Sequence, residues 1–331
     1  MARNLITDVA GVRIGHADDA KLASGTTVIL FDQPAVAAAD IRGGGPGTRE
    51  SALLDPTATV ERIDAIVLSG GSAFGLDAAA GAQAWLREQG RGFVVREAVV
   101  PIVPAAILFD LLNGGDKAWG RFPPYRDFGY AAAANASTDF ALGTVGAGFG
   151  ATTVDLKGGL GSASAQTPSG ITVGAIAAVN AVGSAVIDGG PHFWAAPYER
   201  DNEFGGRGQP ATVPPHALAF KAKGRAAENT TLVAVVTDAL LTKPQTQRLA
   251  VMAQDGMARA LRPVHTPLDG DIVFAAATGA RLLSDPLFSF AELGSLAADV
   301  VARAIARGIY EARALPYPGA LPSWRDRFKA R

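Results

Sequence analysis

The sequence predicts an α/β fold, and three observations predict it. Apolar runs of strand length alternate with stretches of helical spacing along the chain. Hydrophobic residues make up 48% of 331 positions and charged residues 18%, enough to build a sizeable core. No stretch reaches the roughly 18 consecutive apolar residues of a membrane span. The best candidate, 171–187, is interrupted by Asn180, Ser184 and several glycines. The length allows either two domains of ordinary size or one large α/β domain.

The elements follow in order. Residues 64–69 (DAIVLS) read as a buried strand and 70–72 as a turn. Residues 74–88 have helical spacing, with Leu76, Ala80 and Ala84 on one face. Residues 171–179 and 182–187 read as two strands, and 231–236 (TLVAVV) as a strand rich in β-branched side chains. A helix is expected over 244–261, with Leu249, Met252 and Ala260 inward. A strand follows over 271–277, and a last helix over 296–313 carries Val300, Ile305 and Ile309. Residues 191–229 have no periodicity, contain Pro214-Pro215 and Gly205-Gly206, and read as a long exposed connection. The Pro-rich stretch 314–323 is expected to lie extended on the surface or on a partner subunit.

Composition removes several classes of function. The 30 basic and 31 acidic side chains leave a net charge of −1, without the basic excess of a nucleic-acid binder. There is no cysteine, so disulfides, thiolate metal sites and cysteine nucleophiles are excluded. The four histidines (His16, His192, His216, His265) are too few for a multi-histidine metal site, and no cofactor is expected. The first residues lack the apolar core of a secretory signal, so a soluble cytoplasmic protein is expected.

Three superficial motifs fail. The glycine-rich 43–48 segment lacks the Lys-Ser/Thr of a P-loop. The turn around Ser72 has Phe74 where a nucleophile elbow needs glycine, so Gly71 and Ser72 read as a tight turn whose N–H groups line a pocket. Asp269-Gly270-Asp271 resembles an aspartyl-phosphate loop, but it follows the loop 265–268 rather than an apolar strand.

One constellation survives. The junction Asn229-Thr230 joins the aperiodic linker directly to a central strand. Were that bond cut, Thr230 would become a chain terminus, and its α-amino group, with an ordinary pKa of about 7.7–8.0, would be a built-in base for its hydroxyl. A threonine at a strand start is also an ordinary β-former, and composition alone does not separate the two.

Five blocks bear on that choice: 7–16 (TDVAGVRIGH), 42–50 (RGGGPGTRE), 68–77 (LSGGSAFGLD), 157–164 (KGGLGSAS) and 229–238 (NTTLVAVVTD). Together, in this order, they resemble the L-aminopeptidase/D-esterase family of self-cleaving N-terminal-nucleophile hydrolases. That family includes the β-peptidyl aminopeptidases and the 6-aminohexanoate-oligomer (nylon) hydrolases, and the resemblance covers nearly the whole chain. It implies a four-layer αββα sandwich, a single domain over 1–331, and self-cleavage into 1–229 and 230–331. Thr230 is then the nucleophile, Asn229 lies across the cut bond, and Asp269 and Asp271 are the two acids of the site. Lys157 matches a lysine near the nucleophile, and Asn180 a donor to the oxyanion. Phe109 stands where some relatives carry a tyrosine. Arg42 and Arg49 either bind a carboxylate or brace the glycine loop. The Asp pair leans toward the nylon-hydrolase branch, the aminopeptidase branch tending to Ser and Glu. The implied assembly is a tetramer of cleaved heterodimers acting on a small amide or peptide. Competing readings are an L-aminopeptidase, D-esterase or β-peptidyl aminopeptidase, an acyltransferase of the ornithine-acetyltransferase kind, and a non-catalytic metabolite-binding protein.

Overall fold

A computed structural model describes residues 2–224 and 229–328. The strands in chain order are β1 (Val12–Asp19), β2 (Ser24–Ile41), β3 (Thr48–Arg49), β4 (Arg62–Ser69), β5 (Phe93–Val95), β6 (Ala98–Val100), β7 (Ala105–Ile107), β8 (Gly159–Gln166), β9 (Thr172–Asn180), β10 (Thr230–Ala239) and β11 (Ile272–Arg281). The helices are α1 (Ala78–Glu88), α2 (Tyr125–Ala134), α3 (Lys243–Ala260), α4 (Phe288–Glu311) and α5 (Trp324–Phe328). No described helix is long and apolar enough to cross a membrane.

Nine strands form one mixed sheet in the order β3-β7-β4-β2-β11-β10-β9-β8, with β1 also paired to β2; β5 and β6 form a separate ribbon. The long strand β2 makes the architecture. Its first half pairs with β1 and β4, and after a register break between Leu30 and Ala35 its second half pairs with β11. The sheet thus folds over itself. Ile29, Phe31, Ile66 and Leu68 of one half pack against Leu232, Ala234, Ile272 and Phe274 of the other in a fully buried inner core. On the far side of β9–β11, Val233, Val235 and Val273 pack against α3 and α4. On the far side of β2 and β4, Val28, Leu30, Ala65 and Val67 pack against α1 and α2. The result is the expected αββα stack. Strands β10 and β11 are covered on both faces, which is why they read as continuous apolar runs rather than alternating ones. Each buried Val, Leu, Ile or Phe contributes about 1.5–3 kcal/mol, so these two strands anchor the fold.

The structure departs from expectation in three places. The helix expected from residue 74 begins as a 3-10 turn over Ser72–Asp77 before α1. Residues 182–187 are not a strand; Ser184 and Val186 make isolated bridges to Arg262 and Phe193. The Ser184 hydroxyl takes over local backbone bonding there, accepting from Val186 N–H and donating to Asp155. The connection beginning at residue 191 is irregular, as read, but not wholly exposed. Phe193 and Phe204 are buried in an aromatic cluster with Trp324 of α5. The Pro-rich stretch near the C-terminal end leads into that same helix. It also closes over Lys157, whose N–H donates to Pro322 O at 2.9 Å.

Candidate active site

Strand β10 starts at Thr230, so the predicted junction lies at the edge of the central layer. Thr230 pairs with Asn180 at the end of β9, and Asn229 bridges Asp269 on the segment entering β11. Thr230 is buried, at 4% exposure. Its hydroxyl donates to the carbonyl oxygen of Asn229 at 2.5 Å, and the same oxygen accepts the Gly270 N–H at 2.8 Å. The carbonyl of the junction therefore has two donors aimed at it. The second comes from the residue between the two acids. A Cβ on Gly270 would stand 2.6 Å from the Thr230 hydroxyl and 2.8 Å from Gly45 O, so only glycine fits there without displacement.

The carboxylates flank this arrangement without bonding Thr230 itself. Asp269 accepts the N–H of Val182 through Oδ1, and the N–H and hydroxyl of Thr266 through Oδ2. Asp271 accepts Thr231 N–H at 2.7 Å through Oδ1, and both the N–H and Nδ1 of His265 through Oδ2. Both are 1% exposed. Burial, with the nearby charge of Asp271, holds the Asp269 carboxyl above its ordinary pKa. The two side chains therefore tie together three segments: 180–182, 229–231 and 265–271. Residues 269–271 precede β11, and the glycine loop caps them. The N–H groups of Arg42 and Gly43 donate to Asp271 O, and that of Gly45 to Asp269 O.

A polar cluster stands beside the junction. Asn180 Oδ1 accepts Thr152 N–H at 2.9 Å and the Lys223 ammonium at 3.0 Å, while its Nδ2 donates to Phe109 O at 3.0 Å. Lys157 is buried and donates to three carbonyls, those of Gly148, Ala151 and Gly158. Burial lowers its pKa to about 7, the nearby Lys223 charge pushes in the same direction, and Asp110 opposes them. Lys157, Lys223, Phe109, Asp110 and Thr152 line a cavity of about 330 Å³, closed on one side by Leu315, Pro318 and Leu321.

The remaining predicted residues are placed elsewhere. Gly71 and Ser72 form the expected tight turn, but they do not line this cavity. The Gly71 N–H is taken by the buried Asp110 carboxylate and the Ser72 N–H by Leu108 O. Arg42 pairs with Asp40 and Arg49 donates to Gln83, so both brace the scaffold. Lys223, Gly270, Asp110 and His265 stand beside the predicted residues, and the sequence alone does not single them out. Lys223 lay in a charged segment read as exposed, and Gly270 in a turn read for its neighbours alone. Only the adjacency of Asp110 to Phe109 was a usable signal.

Comparison with known proteins identifies the family. The description Peptidase family S58 matches residues 4–319. An uncharacterized aminopeptidase of Mycobacterium tuberculosis is 45% identical over 98% of both chains. A 6-aminohexanoate-oligomer endohydrolase of Kocuria sp. is 29% identical over 82% of this chain and 74% of its own length. Among solved structures, a Burkholderia sp. beta-aminopeptidase superposes with a TM-score of 0.71 at 22% identity, covering 100% of this chain and 95% of its own. An L-aminopeptidase D-Ala-esterase/amidase of Ochrobactrum anthropi, described as a variant of the N-terminal-nucleophile hydrolase fold, gives 0.70 at 21% identity, covering 97% and 90%. The chain belongs to peptidase family S58 and is a hydrolase of peptide or amide bonds.

Proposed function

We propose that this member of peptidase family S58 is made as a precursor that cuts its own Asn229-Thr230 bond, and that the freed Thr230 then hydrolyses small amides or peptides. The observation that carries the reading is the Asn229 carbonyl, contacted at once by the Thr230 hydroxyl and the Gly270 N–H. In the first step the hydroxyl oxygen adds to the Asn229 carbonyl carbon, and charge develops on the oxygen that Gly270 already holds. The bond to the Thr230 nitrogen then breaks, the nitrogen takes up the proton, and an ester joins Asn229 to Thr230. Water cleaves that ester, leaving a carboxylate on Asn229 and a free amine and hydroxyl on Thr230.

In turnover the α-amine serves as general base for the hydroxyl, its ordinary pKa lying near working pH. The substrate carbonyl takes the place vacated by that of Asn229, with Gly270 as donor. The hydroxyl oxygen bonds to the substrate carbonyl carbon, the substrate C–N bond breaks, and the amine leaves with the proton that the α-amine took up; water then cleaves the ester, freeing the carboxylic acid and restoring the hydroxyl. Asp271 holds Thr231 N–H, and Asp269 holds the segment bearing Val182, so nucleophile and donor stay in register. The 330 Å³ cavity, with the polar groups of Asp110, Lys157 and Lys223 on one wall and apolar residues on another, takes the acyl part of the substrate.

Intact mass with N-terminal sequencing tests the first step: wild-type protein yields a fragment beginning at Thr230 and T230A remains whole. A T230A variant that still splits and still turns over an amide overturns the reading. A panel of amino-acid p-nitroanilides against 6-aminohexanoate oligomers then separates an aminopeptidase from a nylon-oligomer hydrolase. The similarity to mycobacterial aminopeptidases favours the former and the Asp pair the latter.

A further inference from the structure

Lys223 lines the cavity, and its ammonium, N–H and carbonyl are each tied by hydrogen bonds. Its ammonium donates to Thr152 O at 2.8 Å, to the Thr152 hydroxyl at 3.1 Å and to Asn180 Oδ1 at 3.0 Å. Its N–H donates to Val182 O at 2.9 Å, and its carbonyl accepts Nδ2 of Asn229 at 3.3 Å. Three of these five contacts touch the junction or its neighbours. Asn180 is the strand partner of Thr230, Val182 is held by Asp269, and Asn229 is the residue on the acyl side of the bond. Charge-assisted bonds of this kind are roughly twice as strong as neutral ones, so the ammonium is a suitable anchor for an aperiodic segment.

We propose that Lys223 is a positioning residue for self-cleavage, clamping the linker to the end of β9 so that the Asn229 carbonyl is held between the Thr230 hydroxyl and the Gly270 N–H. This rests on the self-cleavage reading above. A misplacement of about 1 Å in a reacting carbonyl costs on the order of 100-fold in rate, so a loosened clamp shows as slow maturation.

The experiment times the split by intact mass after cell-free synthesis of wild type, K223M and K223R. Methionine keeps the unbranched stem and loses every donor; arginine keeps charge and donors. Unfolding midpoints are compared in a T230A background, where every chain stays whole. Expected are cleavage slowed at least tenfold in K223M, restoration to within about threefold of wild type in K223R, and midpoints that stay together. Wild-type cleavage with K223M equally fast overturns the role of Lys223 and leaves the self-cleavage reading intact. Equal slowing in K223M and K223R, with matching falls in midpoint, also overturns it, because the residue is then structural only. A wild type that never splits overturns the self-cleavage reading itself and this role with it.

Discussion

Gly270 donates its N–H to the carbonyl of Asn229 at 2.8 Å, across the gap between the segment entering β11 and the start of β10. The bond joins two segments far apart in sequence. It aims a backbone donor at the one carbonyl that the Thr230 hydroxyl also contacts.

Gly270→Ala should therefore slow maturation. The added methyl would stand 2.6 Å from the Thr230 hydroxyl and 2.8 Å from Gly45 O. Hydroxyl and donor cannot both keep their positions, and loss of one oxyanion donor costs about 100- to 1,000-fold. A time course of precursor and fragments by mass checks this; maturation at the wild-type rate would remove Gly270 from the mechanism.

Asp271→Ala should cost stability as well as activity. It leaves Thr231 N–H and His265 N–H buried without their acceptor, at about 1–3 kcal/mol for each orphaned group. Urea unfolding of D271A in a T230A background measures the loss. Asp271→Asn keeps one acceptor and should lose less stability than alanine while still maturing slowly. Equal stability for all three chains would contradict the structural part of its role.

Lys157 ties stability to pH. Its pKa falls from 10.5 to about 7, chiefly through burial. Between those values the unfolded chain holds a proton that the folded chain has released, so the unfolded state binds more protons and folding gains stability as pH rises. Below pH 7 the lysine is charged in both states and the cost of burying that charge is present in full. Relative to K157M, the lysine-bearing chain should gain up to about 1.4 kcal/mol per pH unit above pH 7. Urea unfolding at pH 6 and pH 9, both chains carrying T230A, reads the difference. An unchanged gap would show that Lys157 titrates near its ordinary value.

Leu321→Trp tests the cavity. Leu321 lines it. A larger ring should occupy space intended for the acyl group, raising KM at least tenfold while the protein still matures. An unchanged KM for every substrate that the enzyme accepts would move the substrate site elsewhere.

Gly71→Ala should destabilise the protein. Gly71 has φ of +85°, and a Cβ there would meet the Tyr125 ring at 2.1 Å. The left-handed conformation alone costs an L-residue about 1–2 kcal/mol, and the ring must also move. Thermal unfolding with T230A present measures it; an unchanged Tm would mean that the turn relaxes freely.

The strands most legible in the sequence were those buried on both faces. Residues 65–68, 232–236 and 272–277 are unbroken apolar runs, and each lies in a sheet strand. Strands β1, β2 and β8 are not legible in the sequence. Strand β8 carries Gly159, Gly161 and two serines, and β2 changes partners midway, so neither shows a clean local period. Residues 182–187 mislead in the opposite sense, being apolar enough for a strand while Ser184 bonds its own neighbourhood.

What the sequence by itself determined was the chemistry available: no thiol, a threonine entering a central strand, and two aspartates around a glycine. These are properties of residue type and local order, which one-dimensional reading captures. Only the tertiary structure decided that Gly270 faces Asn229, that the two aspartates brace the nucleophile's neighbours, and that Lys223 reaches Asn180. Those contacts join residues dozens of positions apart. They form because the folding of β2 and the pairing of β9, β10 and β11 bring distant segments to one sheet end, where hydrogen-bond geometry rather than residue type selects the partner.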